Sequence, residues 1–455
     1  MIKSYKIIKM AVQEVSMKRF IVLFIILCSL FINFSCGGGG SNGSGESDDF
    51  LSDLVSMNIT DARSIFISSG SSTSSSGLHS AAQSSGSNSA GKLFKIDSIG
   101  KIDEISFFDK NHKEINPYGY SNELVPVFIE NINEDYVAVV FSSESGSTSS
   151  WGAILARKTD GAIYKIKNIP DLACLNLSSG FIKKDSLFKS DSEGNIYYIN
   201  RTTNDNHYSA RAGITKISVP EMSSTIITPA TDTFIYGFEV DSAGNIVYYV
   251  QADLFMEKVY RLRSSTGIYN NLPINSIIWK ELDGNIHFLD GMEVKMINPD
   301  TFDIATYGSF SCDPNSLPNY IISSNGYTYL ISTSGILEVF NSTASPRVIN
   351  LGLPMSKIFR VTCTENFYYI AGKDSSSHYF LIKIAPGENS YTSILGNDYQ
   401  VYAFSVSETD GIIFNALRTN DMKKVICKIS IDGTGFELLD FEADDPQIIY
   451  LERIR

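Results

Sequence analysis

Histidine and cysteine are the side chains of this 455-residue sequence best suited to metal binding and nucleophilic catalysis. The five histidines are scattered, and no two lie three or four residues apart, the spacing that places two ligands on one helix face. We interpret them as surface or loop residues and expect no metal and no cofactor, although a fold could still gather distant loops. The histidines are His79, His112, His207, His287 and His378.

Four cysteines lie beyond the N-terminal region, and none is close to another in the sequence. Their spacing shows no disulfide framework, and the lack of a Cys-x-x-Cys pair argues against structural zinc or covalent haem. An exported chain permits disulfides, but free buried thiols are the expected state. The four are Cys174, Cys312, Cys363 and Cys427.

The loops contain no other complete catalytic or ligand motif. The segments 204–207 and 300–303 offer oxygen ligands, but neither follows the twelve-residue calcium-loop pattern. The sequence has no phosphate loop, and no nucleophile elbow or Gly-x-Gly-x-x-Gly motif stands behind a predicted strand. No catalytic constellation is therefore predicted.

One polar motif recurs with carboxylates and amides at fixed positions, first as Asp-Ser-Glu-Gly-Asn from Asp191. It returns as Asp-Ser-Ala-Gly-Asn from Asp241, and a weaker third copy ends at Asn285. The carboxylates could converge on a ligand. A structural role is the stronger interpretation, because Asp and Asn bond back to the local backbone and glycine permits positive φ. We predict structural turns at Asp191, Gly194, Asn195, Asp241, Gly244, Asn245, Asp283, Gly284 and Asn285.

Each copy leads into a short β-branched and aromatic run, which is typical of a turn that feeds a strand. Aligned on the glycine, the series continues at Gly326, Asn366 and Gly411, in steps of 50, 40, 42, 40 and 45 residues. Four short strands per period, without a helical pattern, predict an all-β fold: a β-propeller of seven or eight four-stranded blades. A β-solenoid and a split sandwich are the alternatives. A last strand over 447–454 favours the propeller, because it could pair with the N-terminal unit.

The net charge limits the classes of partner. The chain carries a formal charge of −13, and its first 35 residues contribute five basic side chains and one acidic side chain. The remainder is strongly acidic, so phosphate groups would repel it. We expect no nucleic acid partner and no attraction to an anionic membrane surface.

The N-terminal region has the pattern of a secretory signal. Lys18 and Arg19 precede an apolar run over 20–32, and Met17 is a credible true start. A helix of this run would be about 20 Å long, shorter than the roughly 30 Å hydrocarbon core. A cleaved signal over 1–35 is therefore predicted, with a retained membrane anchor as the alternative.

The end of this signal, Phe34-Ser35-Cys36-Gly37, is followed by a Gly/Ser-rich stretch and resembles the lipobox of bacterial lipoproteins. The resemblance implies that Cys36 is lipidated, becomes the mature N-terminus and anchors the chain in a membrane. Cys28 is the competing cysteine, but it lies inside the apolar run. By analogy with enteric lipoproteins, Gly37 is compatible with sorting to the outer membrane.

The chain is thus predicted to have four parts: the signal 1–35, the lipidated cysteine and flexible tether 36–49, a Ser/Gly-rich segment 50–91 with one possible strand, and the propeller 92–455. We expect a lipoprotein of the cell envelope, on the outer membrane or the outer face of the cytoplasmic membrane. Its propeller would bind an envelope protein or an extracellular ligand. The alternative is a propeller enzyme, a lyase or hydrolase with its active site at the central channel, and we favour the non-enzymatic role.

Overall fold

Among the residues that the computed structural model describes, every regular element is a β-strand except one short 3-10 helix, Phe50–Asp53. The larger of two compact units comprises residues 46–143 and 150–455, and the features argued below belong to it. Of the smaller unit, 1–45 and 144–149, only the tips of two strands are described. The described residues are 50–69, 92–115, 124–145, 148–167, 169, 187–202, 211–229, 232–251, 258–267, 269–272, 278–280, 284–290, 293–298, 301, 303–309, 320–324, 327–331, 336–341, 344–350, 355–364, 366–385, 388, 390–396, 398–407, 409–439 and 447–453.

The N-terminal strands belong to two sheets. One is a small three-stranded sheet in the order β1-β5-β6, and the other holds β2, β3 and β4. The predicted domain boundary at residue 92 thus falls between two paired strands, β2 and β3. The strands are β1 (Ser56–Met57), β2 (Ser64–Ser69), β3 (Lys92–Ile96), β4 (Ile102–Glu104), β5 (Phe107–Phe108) and β6 (Glu114–Ile115).

The chain then builds four-stranded antiparallel sheets, each from four consecutive strands, which we call blades 2 to 5. Their strands are β7 (Leu124–Asn131), β8 (Tyr136–Ser145), β9 (Thr148–Arg157) and β10 (Ile163–Lys167) in blade 2; β11 (Phe188–Ser190), β12 (Ile196–Thr202), β13 (Arg211–Ser218) and β14 (Ser223–Ile226) in blade 3; β15 (Thr233–Val240), β16 (Ile246–Gln251), β17 (Lys258–Arg263) and β18 (Tyr269–Leu272) in blade 4; and β19 (Ile278–Lys280), β20 (Ile286–Asp290), β21 (Glu293–Ile297) and β22 (Ile304–Ser309) in blade 5.

Three further sheets, blades 6 to 8, repeat this order, and a single strand follows them. Their strands are β23 (Tyr320–Ser324), β24 (Tyr327–Ile331), β25 (Ile336–Asn341) and β26 (Ala344–Asn350); β27 (Met355–Cys363), β28 (Tyr368–Asp374), β29 (Tyr379–Ile384) and β30 (Thr392–Ser393); β31 (Tyr399–Ser407), β32 (Gly411–Arg418), β33 (Lys423–Ile429) and β34 (Glu437–Leu439); the single strand is β35 (Gln447–Arg453).

The last strand closes the propeller. β35 pairs antiparallel with β2, from Ser64 opposite Arg453 to Ser69 opposite Gln447, and so completes blade 1 in the order β35-β2-β3-β4. The predicted pairing of the C-terminal strand with the N-terminal unit is confirmed. Within the described ranges the sheets of four strands number eight, and the chain is an all-β propeller rather than a solenoid.

The inner strand of blade 1 is β35, and the inner strand of each later blade is the first of its four strands. β31 contacts β35, β35 contacts β7, and β11 contacts β15, so inner strands stand beside inner strands. The turns that follow the first and third strands of a blade lie at one end of its sheet, because successive strands run antiparallel. We call this end of the blades the turn face.

The core lies between the blades. Five consecutive residues of β28 are buried, as are six of β32, because both faces of a middle strand pack against neighbouring blades. One cluster joins Tyr369 and Leu381 of blade 7 to Phe404 and Phe414 of blade 8. Continuous apolar runs, rather than strict alternation, therefore mark these strands in the sequence.

The segment that enters the propeller is fixed to blades 1 and 2. Met57 N donates to the Gly161 carbonyl at 2.9 Å, and Val55 N donates to the Phe108 carbonyl at 2.8 Å. Leu51 and Leu54 are buried in a cluster with residues of both blades. The folded body thus begins where the predicted tether ends.

Candidate functional site

The turn before β12 is organised by the Asp191 carboxylate. Its Oδ1 accepts from the Glu193 and Asn195 backbone N–H groups at 3.0 and 2.9 Å. Its Oδ2 accepts from Asn195 Nδ2 at 2.8 Å and from the Tyr197 hydroxyl at 2.7 Å. Gly194 has φ +81°, the left-handed conformation that glycine adopts without strain. Burial and the Asp191 hydrogen bond raise the pKa of Tyr197.

The turn before β16 repeats this arrangement. Asp241 Oδ1 accepts from the Ala243 and Asn245 N–H groups at 2.9 and 2.8 Å, and Oδ2 accepts from Asn245 Nδ2 at 2.7 Å. Gly244 has φ +79°. Asn245 Oδ1 also accepts from Ser265 N at 2.8 Å, which joins this turn to the next turn of the same blade.

The third copy of the motif is partly described. Gly284 has φ +83°, whereas Asp283 lies outside the described residues. The three turns are joined across blades: Ser192 N donates to the Ser242 carbonyl at 3.1 Å, and Ser242 N donates to the Gly284 carbonyl at 2.8 Å. The described parts of these turns in blades 3, 4 and 5 therefore adjoin one another at the turn face.

Charged side chains lie beside these turns on the inner strands. Lys189 Nζ of blade 3 contacts Glu239 Oε2 of blade 4 at 2.7 Å, with 18% and 8% of the two side chains exposed. Lys280 Nζ of blade 5 donates to the Ser190 carbonyl of blade 3 at 2.9 Å, so it reaches past the intervening blade. We call Lys189, Asp191, Glu239, Asp241 and Lys280 the inner-strand charge cluster.

Burial governs the electrostatics of this cluster. It lowers the pKa of Lys280, and nearby Lys189 adds to the effect, while Glu239, Asp241 and Asp191 oppose it. Burial also raises the pKa of Asp241, against the hydrogen bonds that it accepts from Asn245 and Ala243. The cluster therefore holds an amine and a carboxyl that are easier to neutralise than their exposed counterparts.

A related contact joins blades 2 and 3. Glu130, which is 8% exposed, accepts from the Leu187 and Phe188 N–H groups at 2.6 and 3.2 Å. Carboxylate or ammonium contacts therefore link the inner strands from blade 2 to blade 5. No sequence motif singles out Glu130, Lys189, Glu239 or Lys280, because each is the only charged residue within the bounds of its strand. Lys189 and Glu239 do share one signal, since each lies two residues before a turn aspartate.

The histidines are distributed between the core and the turns. His287 is buried in β20, 6.0 Å from the Trp279 ring and 4.6 Å from the Tyr307 ring, so its interpretation as a surface or loop residue is wrong. His112 and His378 are exposed in turns, and His79 and His207 lie outside the described residues. Among the described residues, no group of three His, Cys, Asp or Glu side chains is placed to hold a metal ion.

The structure describes two of the cysteines, Cys363 and Cys427. Cys427 is a free, buried thiol, and burial raises its pKa to about 12, whereas Cys363 is partly buried at the end of β27. Cys36, Cys174 and Cys312 lie outside the described residues. Within the described part of the chain, no helix is long and apolar enough to cross a bilayer.

Comparison with known proteins gives a likeness in structure only. No family model matches the sequence, and no curated protein matches it. A putative 6-phosphogluconolactonase from Bacteroides fragilis is similar at a TM-score of 0.41 and 12% identity, over 70% of this chain and 98% of that chain. Porphyromonas gingivalis dipeptidyl peptidase 4 is similar at 0.44 and 8%, over 71% of this chain and 53% of that one.

Pyrococcus horikoshii acylaminoacyl peptidase gives a TM-score of 0.44 at 10% identity, over 69% of this chain and 52% of its own. This chain thus spans about half the length of these peptidases. Similarities at these scores carry no argument about function. The propeller assignment rests on the strand pairing itself.

Proposed function

We propose that this chain is a lipid-anchored protein of the cell envelope whose β-propeller serves as a binding module for an envelope protein or an extracellular ligand. The observation that carries the proposal is the order of its parts. Cys36 is followed by thirteen residues of Gly/Ser-rich and acidic chain, and immediately beyond them Leu51 and Leu54 are buried in the propeller. A flexible chain of this length spans about 20 Å, enough to hold a folded body off a membrane.

The contacts between inner strands support a binding module. Glu130 accepts backbone hydrogen bonds across one blade boundary, and the Lys189–Glu239 pair crosses the next. Polar groups already used in this way fix the blades relative to one another. A rigid frame presents its loops in a constant arrangement, which lowers the entropy cost of binding.

The anchor is tested with Cys36→Ser, and Cys28→Ala is the matched control. We expect radiolabelled palmitate to enter wild type and Cys28→Ala and to be absent from Cys36→Ser. The mature form of Cys36→Ser should no longer fractionate with membranes. Palmitate incorporation into Cys36→Ser would contradict the proposed site of lipidation.

The binding role is tested by cross-linking the lipidated protein in the intact envelope and identifying the adducts by mass spectrometry. One dominant envelope protein would support an interaction module and would name its partner. Adducts spread evenly over abundant proteins would argue against a specific protein partner.

A propeller enzyme is the second candidate, and the inner-strand charge cluster is the observation that favours it. Lys280 combines a lowered pKa with carboxylates of two blades nearby, an environment suited to proton transfer. A small molecule or glycan enriched with the protein would point to this candidate. Loss of that enrichment in Lys280→Met, with the fold retained, would assign it to the cluster.

A further inference from the structure

Three neighbouring turns expose large apolar side chains. Ile99 lies between β3 and β4 of blade 1, Tyr391 lies just before β30 of blade 7, and Phe436 and Leu438 lie at the start of β34 in blade 8. Ile99 is 79% exposed, and the other three are 37–46% exposed. Exposed apolar residues that stand singly need no explanation, whereas a contiguous group marks a contact surface.

The structure places these turns side by side. Lys383 Nζ of blade 7 donates to the Ile431 carbonyl of blade 8 at 2.7 Å, and a side chain at Gly433 would begin 3.6 Å from the Ile394 carbonyl. On the other side, a side chain at Gly100 would begin 3.0 Å from Leu439 Cδ2. Blades 7, 8 and 1 thus carry one patch along the turn face.

The segment that leads directly into β2 adjoins this patch. Arg63 N donates to the Ile96 carbonyl at 2.8 Å, and Asp61 pairs with Lys95 Nζ at 2.5 Å. Both partners lie at the end of β3, which leads into the turn that carries Ile99. The residues ahead of them pack against blades 1 and 2. Leu51, the first buried residue of this segment, lies against Gly152 of blade 2, the blade next to blade 1. The folded body to which the tether is joined therefore begins one blade away from the patch.

We propose that Ile99, Tyr391, Phe436 and Leu438 form a membrane-contact patch that rests in the headgroup layer of the bilayer holding the Cys36 lipid. This inference rests on the proposed lipid anchor. A short tether keeps the patch at high effective concentration near the bilayer, so even a weak apolar contact is populated. Aromatic and aliphatic side chains of this kind favour the boundary between headgroups and acyl chains.

The polar groups of the same turns limit how deeply the patch enters the bilayer and influence which lipids it contacts. Asp97 Oδ1 accepts from the Ile99 and Lys101 N–H groups at 2.9 Å each, and Asp432 Oδ1 accepts from Thr434 N at 2.9 Å. The hydrogen bond from the Thr434 hydroxyl, at 2.7 Å, and the bond from the Thr434 N–H group lower the pKa of Asp432, which favours an ionised carboxylate that holds the turn at headgroup level. Because the body of the protein is acidic, the patch should favour zwitterionic over anionic lipid.

Hydroxyl-radical footprinting of the full lipidated protein in phosphatidylcholine vesicles tests the patch. The protein carries a protease recognition sequence inserted within residues 37–49, and the same sample is measured again after cleavage releases the body. We expect oxidation of the four patch residues to rise by about threefold or more on release. Ile226 and Ile304, which are exposed on the outer strands of blades 3 and 5, should not change.

Variants separate the possible causes of protection. Ile99→Ser with Leu438→Ser should abolish the protection of Tyr391 and Phe436, whereas Ile226→Ser with Ile304→Ser should leave it intact. Protein that sediments with vesicles but shows equal oxidation before and after release would overturn the patch and leave the anchor standing. Protein that fails to sediment would overturn both. Protection of the patch in concentrated released protein would instead indicate a contact between copies and would overturn the lipid assignment.

Discussion

At the scale of single residues, the turn motif depends on atoms that only particular side chains supply. Asp191 and Asp241 each satisfy several local donors, and a glycine follows three positions later with positive φ. The glycines differ in their surroundings. A Cβ at Gly284 would lie 1.5 Å from Ser242 Oγ, whereas a Cβ at Gly194 would meet nothing within 4 Å.

Gly284→Ala should therefore destabilise the protein more than Gly194→Ala. Gly194→Ala adds only the strain of a left-handed alanine, about 1–2 kcal/mol. Gly284→Ala adds to this strain the cost of displacing the neighbouring turn, so the total loss of stability should be about 3 kcal/mol or more. Urea denaturation of both variants measures the difference in free energy of unfolding. Equal losses would show that Ser242 moves aside freely.

At the scale of elements, the inner strands are joined by charged contacts that bury their partners. The Lys189–Glu239 pair connects β11 to β15 and is largely shielded from water. Lys101 and Asp103, by contrast, form a pair whose lysine side chain is 62% exposed. Exposed pairs contribute little, whereas loss of one partner from a buried pair leaves a charge without compensation.

Lys189→Met is expected to lower the free energy of unfolding by about 2–3 kcal/mol, because the buried Glu239 side chain loses its ion-pair partner. Lys101→Met, the same substitution in the exposed pair, should change it by no more than about 0.5 kcal/mol. The double variant Lys189→Met with Glu239→Met should recover much of the loss. A double-mutant cycle with no coupling energy would contradict this role for the pair.

The same distinction explains what the sequence could predict. The turn motif is local, so its Asp, Gly and Asn residues are recognisable wherever it recurs, and the period of the copies indicates the propeller. The partners of Lys189 and Lys280 depend on which inner strands stand side by side, which no local pattern encodes. The prediction for His287 was wrong for a related reason, because its neighbour Trp279 comes from the adjacent strand β19 and its neighbour Tyr307 from β22, two strands away in the sheet.

At the scale of the whole molecule, the propeller is closed by the pairing of β35 with β2. Blade 1 takes three strands from the N-terminal region and its inner strand from the C-terminus. β35 also contacts β7 and β31, so a single strand joins blade 1 to both of its neighbours. Leu451 of this strand is completely buried.

Deletion of residues 447–455 should abolish cooperative unfolding, because it exposes β2 and the inner faces of three blades. Deletion of 454–455 alone, beyond the end of β35, should leave the melting transition unchanged. Thermal melting followed by circular dichroism distinguishes the two. A longer deletion with an unaltered melting temperature would show that closure does not stabilise the fold.

Blade 1 combines N-terminal strands with a C-terminal strand, and this imposes an order on the folding of the chain. Ser64 is among the first structured residues to leave the ribosome, yet its partner Arg453 is among the last. Contacts between residues so far apart in the chain form slowly, since a very long loop must close first. Until then β2 presents a bare edge that can pair with other chains. We therefore expect the unpaired β2 edge to need protection from aggregation until the C-terminal strand is available to close blade 1.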